Sequence, residues 1–281
     1  LKAWAHTCKQ QQQQEQTATT SLPQDLIPIY DRTVIKGPEG IETEIMKKWR
    51  SFLQLFSDGK EPDNPKSLKL SQSPAIRPDV FRFTLELTRE DIQTLRERLK
   101  RESAPKELRL STFVITYSYA LTCLIRARGG DPNRPVGYGF PVDCRSLVSP
   151  PVPSNYFGNC VSVAFKMPFT ADTFMGEEGF FTAARLVSNS VEELDESVAL
   201  KIPELLAEFA TLPPGTQFPT VAGSPRFGVY GLDFGWGRPE NVVIVSIDQG
   251  EAISMAEGRD GNGGVEIGFS LKKHEIDVLV D

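Results

Sequence analysis

Two short words in this chain bring together residue types that could build a site. One is Asn155-Tyr156-Phe157-Gly158-Asn159-Cys160, the other Asp233-Phe234-Gly235-Trp236-Gly237. Each sets glycine beside an aromatic ring, so the backbone can adopt conformations closed to other residues while the ring covers it. Asp233 adds a carboxylate able to accept from nearby backbone or an arginine. Taken bare, both words also read as structural turns. General-base chemistry near neutral pH calls for a histidine, and the chain has two, His6 and His274. His6 lies in a helical run, and His274 in a polar terminal helix where a surface position is expected.

Other patterns point away from common chemistries. Gly261-x-Gly263 falls between strand signals with no helix after it, so it reads as a turn rather than a phosphate loop. No Gly-x-Ser-x-Gly, Walker A or His-Glu-x-x-His pattern occurs. Glu177-Glu178 and Glu192-Glu193 suit solvated helix faces. Cys8, Cys123, Cys144 and Cys160 lack C-x-x-C spacing, so no metal site is expected, and reduced thiols fit a cytoplasmic protein. A net charge of −6, with acids interspersed through the one basic cluster (Arg89 to Arg101), argues against nucleic acid as a partner. Phe113-to-Ile125 and Val242-to-Ile247, the longest apolar stretches, fall far short of a bilayer span, so no membrane association is expected.

The elements that must position these words follow from periodicity. Residues 1–10 read as the end of a helix with Trp4 on an apolar side, and the N-terminus of the whole protein is expected further upstream. Gln10 to Ser21 is polar and of low complexity, and with Leu22 to Gly40 it forms a long linker. Ile41, Ile45, Met46, Trp49, Phe52, Leu53 and Phe56 mark one helical stripe. A Pro-rich loop (Glu61 to Pro78) precedes an alternating strand, Val80 to Leu87, and Thr88 with Asp91 forms a capping box. Ser111 opens a helix to about Arg128 whose apolar residues fall all round, implying burial. Strands are expected at Pro135–Val142, Asn159–Lys166, Arg226–Leu232, Val242–Ile247, Ala252–Ala256 and Val265–Leu271. Helices are expected at Glu177–Glu193 and Pro203–Ala210, with a final helix capped by Ser270. Arg259 to Gly264 reads as a hairpin turn. The mixture is α/β, without internal repeats.

The two words together resemble the BAHD acyl-CoA-dependent acyltransferases, and Tyr156-Phe157-Gly158-Asn159-Cys160 resembles their flavonoid- and phenolic-glucoside-acylating branch. Agreement in order and spacing extends to Leu1-Lys2-Ala3-Trp4-Ala5, Asp31-Arg32-Thr33, Leu110 to Val114, Pro141 to Arg145 and Ser224 to Phe227, covering essentially the whole chain.

That resemblance implies a chloramphenicol-acetyltransferase-like fold of two α/β domains around a channel. This chain would supply the tail of the first domain (1–12), a crossover linker (13–40) and the C-terminal domain (41–232). Residues 233–254 would pack on the first domain and 255–281 would return to the second. No bound cofactor is implied; acyl-CoA, malonyl-CoA in particular, would be a co-substrate, and a glycosylated phenolic the acceptor. A hydroxycinnamoyl donor or a non-catalytic binding role are the alternatives. The family's base is the histidine of an H-x-x-x-D motif. Gln10 stands four residues after His6, so that histidine is expected before Leu1, in an N-terminal half that completes a monomer. This chain alone is expected to be inactive and aggregation-prone. By the same resemblance, Ser111 and Thr112 would face CoA phosphates, and Tyr156, Gly158 and Asn159 would lie along the CoA channel. Arg145 would pair with phosphate or with Asp143, and Ser224 would lie toward the acceptor. Asp233, Phe234, Gly235, Trp236 and Gly237 would support the fold.

Overall fold

The computed structural model describes residues 1–13, 21–56, 78–102, 108–249 and 252–280. The expected Pro-rich loop at Glu61 to Pro78 and most of the glutamine-rich run therefore lie outside the described residues. Helix α1 spans Lys2–Gln13 and continues past the expected end near Gln10. Single 3₁₀ turns at Gln24–Leu26 and Arg32–Val34 punctuate the following connection, the second capped by Asp31, whose Oδ1 accepts from the Thr33 N–H at 2.9 Å. Helix α2 covers Ile41–Phe56.

Strand β1 (Val80–Leu87) occupies the span its alternation indicates, although Phe81 is exposed. Helix α3 (Arg89–Glu102) begins with a reciprocal cap: the Thr88 N–H donates to Asp91 Oδ2 at 2.9 Å, and the Asp91 N–H to Thr88 Oγ1 at 3.1 Å. Helix α4 (Thr112–Arg128) starts at Ser111, whose Oγ accepts from the Val114 N–H. Strands β2 (Pro135–Asp143) and β3 (Val161–Thr170) form an antiparallel pair. β3 begins and ends later than the expected Asn159–Lys166, because its limits follow its pairing with β2. Among the described residues β3 pairs with β2 alone, and that edge position accommodates Pro168. Helices α5 (Asp172–Met175), α6 (Gly179–Glu192) and α7 (Ile202–Phe209) follow, with α7 packing on α2. Strands β4 (Thr220–Gly223), β5 (Ala252–Glu257) and β6 (Val265–Lys272) and helix α8 (Lys273–Val280) complete the order.

The strands run β1-β6-β5-β4 in one sheet, antiparallel except for the β4–β5 pair. The chain entering β4 also bonds to β2, through Gly137 N–H to Gln217 O and Gly139 N–H to Pro219 O, so the two sheets meet there. The core lies between this surface and α4. Ile115, Tyr117, Leu121 and Ile125 are enclosed with Val136, Tyr138 and Phe140 on one side and Phe174, Phe180 and Val187 of the neighbouring helices on the other.

Three expectations are corrected. Arg226–Leu232 and Val242–Ile247 are not strands; their regular structure is 3₁₀ turns at Val229–Gly231 and Val245–Gln249. Their β-branched residues favour extension, but β5, the strand they approach, already has β4 on one edge and β6 on the other. Ser270 does not cap α8. It lies within β6, and the α8 entry is closed by Glu275, whose carboxylate accepts from the Lys272 N–H at 2.8 Å. β4 escaped the sequence reading, because four residues are too few to display an alternation.

Tyr117 Oη, fully buried, donates within reach of both Gly139 O (2.9 Å) and Pro219 O (3.1 Å), tying α4 to β2 and to the entry of β4. Tyr117→Phe keeps the ring and deletes the donor. It should lower unfolding free energy by about 1–3 kcal/mol, read as a lower urea midpoint at unchanged slope.

Candidate functional site

The loop after β2 gathers one group of the candidate residues. Arg145 lies just beyond the strand, and its Nη1 contacts Asp143 Oδ1 at 2.8 Å. Its Nη2 donates to Gly158 O at 2.9 Å and lies 3.5 Å from Tyr156 O. Of the two roles left open for Arg145, the structure shows the internal pair. The planar fork suits this use, since one guanidinium holds a carboxylate and a backbone carbonyl in fixed directions. Tyr156 is buried beneath Gly158, where an added Cβ would fall 2.5 Å from the phenol oxygen, so the close approach requires glycine. Asn159 and Phe157 are exposed beside them.

Sequence reasoning missed what anchors this loop. Asn155 Nδ2 donates to Ile27 O at 2.8 Å, the Ile29 N–H to Asn155 O at 3.0 Å, and the Phe157 N–H to Ile29 O at 2.8 Å. Tyr30 and Phe157 pack with ring centroids 5.5 Å apart. The linker thus runs beside the word at 155–160 as a short parallel bridge.

Ser111 and Thr112 sit elsewhere, at the N-terminus of α4. Ser111 Oγ is engaged by Val114 N–H, and the first N–H groups of a helix have no intrahelical partner. Thr112 lines an open concavity of about 880 Å³ with Arg89, Glu90, Gln93, Arg96 and the Gly261–Gly263 turn. That turn is the expected hairpin, closed by the Gly258 N–H on Gly264 O at 2.8 Å. Arg96 leans on Gln93 Oε1 at 2.6 Å and on Leu110 O. Among the described residues, no hydrogen bond or ion pair joins this concavity to the Arg145 loop. A phosphate entering it would meet two guanidinium groups and a helix N-terminus, which favour anions, and also the Glu90 carboxylate, which does not.

The word at 233–237 lies on the crossover between β4 and β5. Asp233 Oδ1 accepts from Gly235 N–H (2.8 Å) and Gly237 N–H (3.0 Å), and Oδ2 pairs with Lys9 Nζ of α1 at 2.6 Å. The cation is a lysine rather than the arginine considered from sequence. Gly235 and Gly237 take φ of 110° and 100°, which side-chain-bearing residues resist. Phe234 meets Trp4 edge-on at 5.3 Å, so Trp4, although largely exposed, has its apolar partner here. The Gln12 amide, with its oxygen turned to the indole, sits 3.0 Å from Trp236 Nε1 and 3.2 Å from Gly235 O. Ser224 opens the same crossover, its Oγ accepting from the Arg226 N–H at 3.2 Å. No local pattern could have revealed Lys9 or Gln12, because their partners are more than two hundred residues away in sequence.

The Lys9 ammonium, the Gly235 N–H and then the Gly237 N–H hold the Asp233 carboxyl at about 2, below its ordinary 3.8. A depressed folded-state value means the contribution is present above about pH 4 and is lost as pH falls toward 2. Indole fluorescence followed through an acid titration should show a step in that window. Asp233→Ala should abolish it; an identical step in the variant would show that another group is responsible.

The profile of the Transferase family matches residues 16–281. The chain is 71% identical to phenolic glucoside malonyltransferase 1 of Arabidopsis thaliana, over 100% of this chain and 60% of that protein. It is 43% identical to the malonyl-CoA:anthocyanidin 5-O-glucoside-6''-O-malonyltransferase of the same plant, over 99% of this chain and 59% of that protein. It spans about 60% of the length of these curated relatives. In fold it resembles the crystal structure of vinorine synthase, with a TM-score of 0.55 at 20% identity, covering 85% of this chain and 58% of that one. The chain belongs to the Transferase family, the BAHD acyltransferases.

Proposed function

We propose that the protein transfers a malonyl group from malonyl-CoA to a sugar hydroxyl of a phenolic glucoside. The observation that carries this reading is 71% identity, along the whole chain, to a phenolic glucoside malonyltransferase. In the proposed reaction a neutral histidine takes the acceptor hydroxyl's proton, and the oxygen attacks the thioester carbonyl. The new C–O bond replaces the C–S bond, and the proton ends on the departing CoA sulfur. Neither histidine of this chain fits H-x-x-x-D, since Gln10 follows His6 and Val278 follows His274 at the fourth place. The proposal assigns the base to an N-terminal half against which residues 233–254 pack. The docking of Asp233 on α1 supports that assignment.

The described residues would serve binding and orientation. Thr112, Arg89 and Arg96 form an anion-favouring concavity suited to the CoA phosphates. Arg145 would act by holding the Tyr156–Asn159 backbone in place, not by touching the donor. Four free cysteines fit a reducing compartment, and the proposal places the protein in the cytoplasm.

The test is turnover of malonyl-CoA with a phenolic glucoside by the protein joined to an H-x-x-x-D-bearing half. Malonylated product should appear together with free CoA. The 281-residue chain alone should be slower by roughly 10²–10⁴-fold, the usual share of a general base. Equal rates would remove the separate base from the scheme, and preference for another acyl-CoA would remove malonyl as the donor group.

Arg145→Gln should raise KM for the acyl-CoA several-fold while changing kcat less, since it loosens the loop without touching the reacting atoms. Arg145→Lys should not restore KM, because an ammonium lacks the fork that spans Asp143 and Gly158. Steady-state kinetics on both variants decides this.

A further inference from the structure

The antiparallel pairing of β2 with β3 ends at Asp143 opposite Val161. One step further out, Cys144 faces Cys160, and the Cys144 N–H donates to Cys160 O at 2.9 Å. Residues opposed across an antiparallel pair project to the same face, with Cα atoms about 4.5–5.5 Å apart. That separation lies within the range a disulfide spans, roughly 4.4–6.8 Å. Both thiols are free and both residues are buried, Cys144 at 1% exposure and Cys160 at 8%.

We infer that Cys144 and Cys160 form an oxidisable dithiol, which a disulfide-class oxidant converts to an intramolecular disulfide closing the loop 145–159. The loop is already drawn shut by Arg145 on Gly158 and by the end of the β2–β3 pairing, so little chain entropy remains to be lost. Formation requires rotation of the Cys144 side chain, whose sulfur now lies 3.5 Å from Val142 O. Cys8 and Cys123 sit on α1 and α4, outside this pairing.

The step balances with glutathione disulfide as oxidant. The Cys160 thiolate attacks one glutathione sulfur, forming a mixed disulfide and releasing one glutathione thiolate. The Cys144 thiolate then attacks the Cys160 sulfur and releases the second. Two protein thiols are oxidised, one glutathione disulfide is reduced to two thiols, and the two thiol protons pass to the leaving thiolates. Burial pushes both protein thiols above their ordinary value, which leaves little thiolate and makes the exchange slow.

The consequence is a reversible clamp on the segment that holds Asn155, Tyr156, Gly158 and Asn159. This inference rests on the strand pairing and is independent of the acyl group or acceptor. The experiment is incubation of the reduced protein, joined to the H-x-x-x-D-bearing half, with glutathione disulfide, followed by alkylation, trypsin and mass spectrometry. Cleavage after Arg145 puts the two cysteines on separate peptides, so a joined pair two hydrogens lighter than their sum reports the bond. The expected result is that this linked pair dominates, disappears with dithiothreitol, and is absent from Cys144→Ser. The melting temperature should rise by several degrees on oxidation. Alkylated Cys144 and Cys160 after prolonged oxidation, or a bond from either to Cys8 or Cys123, would overturn the inference. The mapping on the unaltered chain decides the matter even if the variant fails to fold.

Discussion

The parallel pairing of β4 with β5 is the constraint on which the arrangement of the candidate site depends. Two parallel neighbours cannot be joined by a tight turn, so the chain must leave the sheet after Gly223 and return at Ala252. In many α/β proteins a helix fills such a crossover. Here, through the described residues, the connection is built from 3₁₀ turns and irregular backbone, and it reaches to α1. Asp233 gives that excursion its shape by collecting two N–H groups from its own turn and an ammonium from α1. An exposed ion pair contributes little energy by itself. Its role is geometric: it sets where the crossover meets α1.

A second constraint acts on the loop between β2 and β3. That loop is long and rich in proline, and its backbone carbonyls need partners wherever solvent is excluded. Arg145 supplies donors from inside the loop, and the linker at Ile27–Ile29 supplies a backbone edge from outside. Between these supports Tyr156 is pressed beneath Gly158, leaving Asn159 at the surface. Residues that read as possible ligands in isolation are here largely occupied in holding one another. The concavity at the start of α4 differs, because Arg89 and Arg96 line open space there, although Arg96 also donates to Gln93 and Leu110.

Much of the architecture was legible from local pattern. Thr88 with Asp91, Ser111, the alternation of β1 and the all-round apolar surface of α4 each follow from interactions within a few residues, and each stands where expected. The failures share one cause. Val242 to Ile247 has the composition of a strand and is none, and Thr220–Gly223 lacks that signal yet is one. Whether a segment becomes a strand depends on a free edge beside it, and the edges of β5 are taken by β6 across the hairpin and by β4 from before the crossover. The cap of α8 followed the same logic on a smaller scale, since Ser270 was already committed to its ladder opposite Arg82.

For the site, the two glycine-aromatic words were visible as words because close backbone approach and positive φ demand particular residue types at particular places. The helix starts and the buried character of α4 were likewise encoded locally. What the words touch was not. Lys9 and Gln12 on Asp233 and Trp236, Ile27 on Asn155, and Cys144 beside Cys160 are contacts across distant sequence positions. Local sequence determined which backbone shapes were possible; only the tertiary structure, by closing long loops and choosing strand neighbours, decided which side chains those shapes would meet.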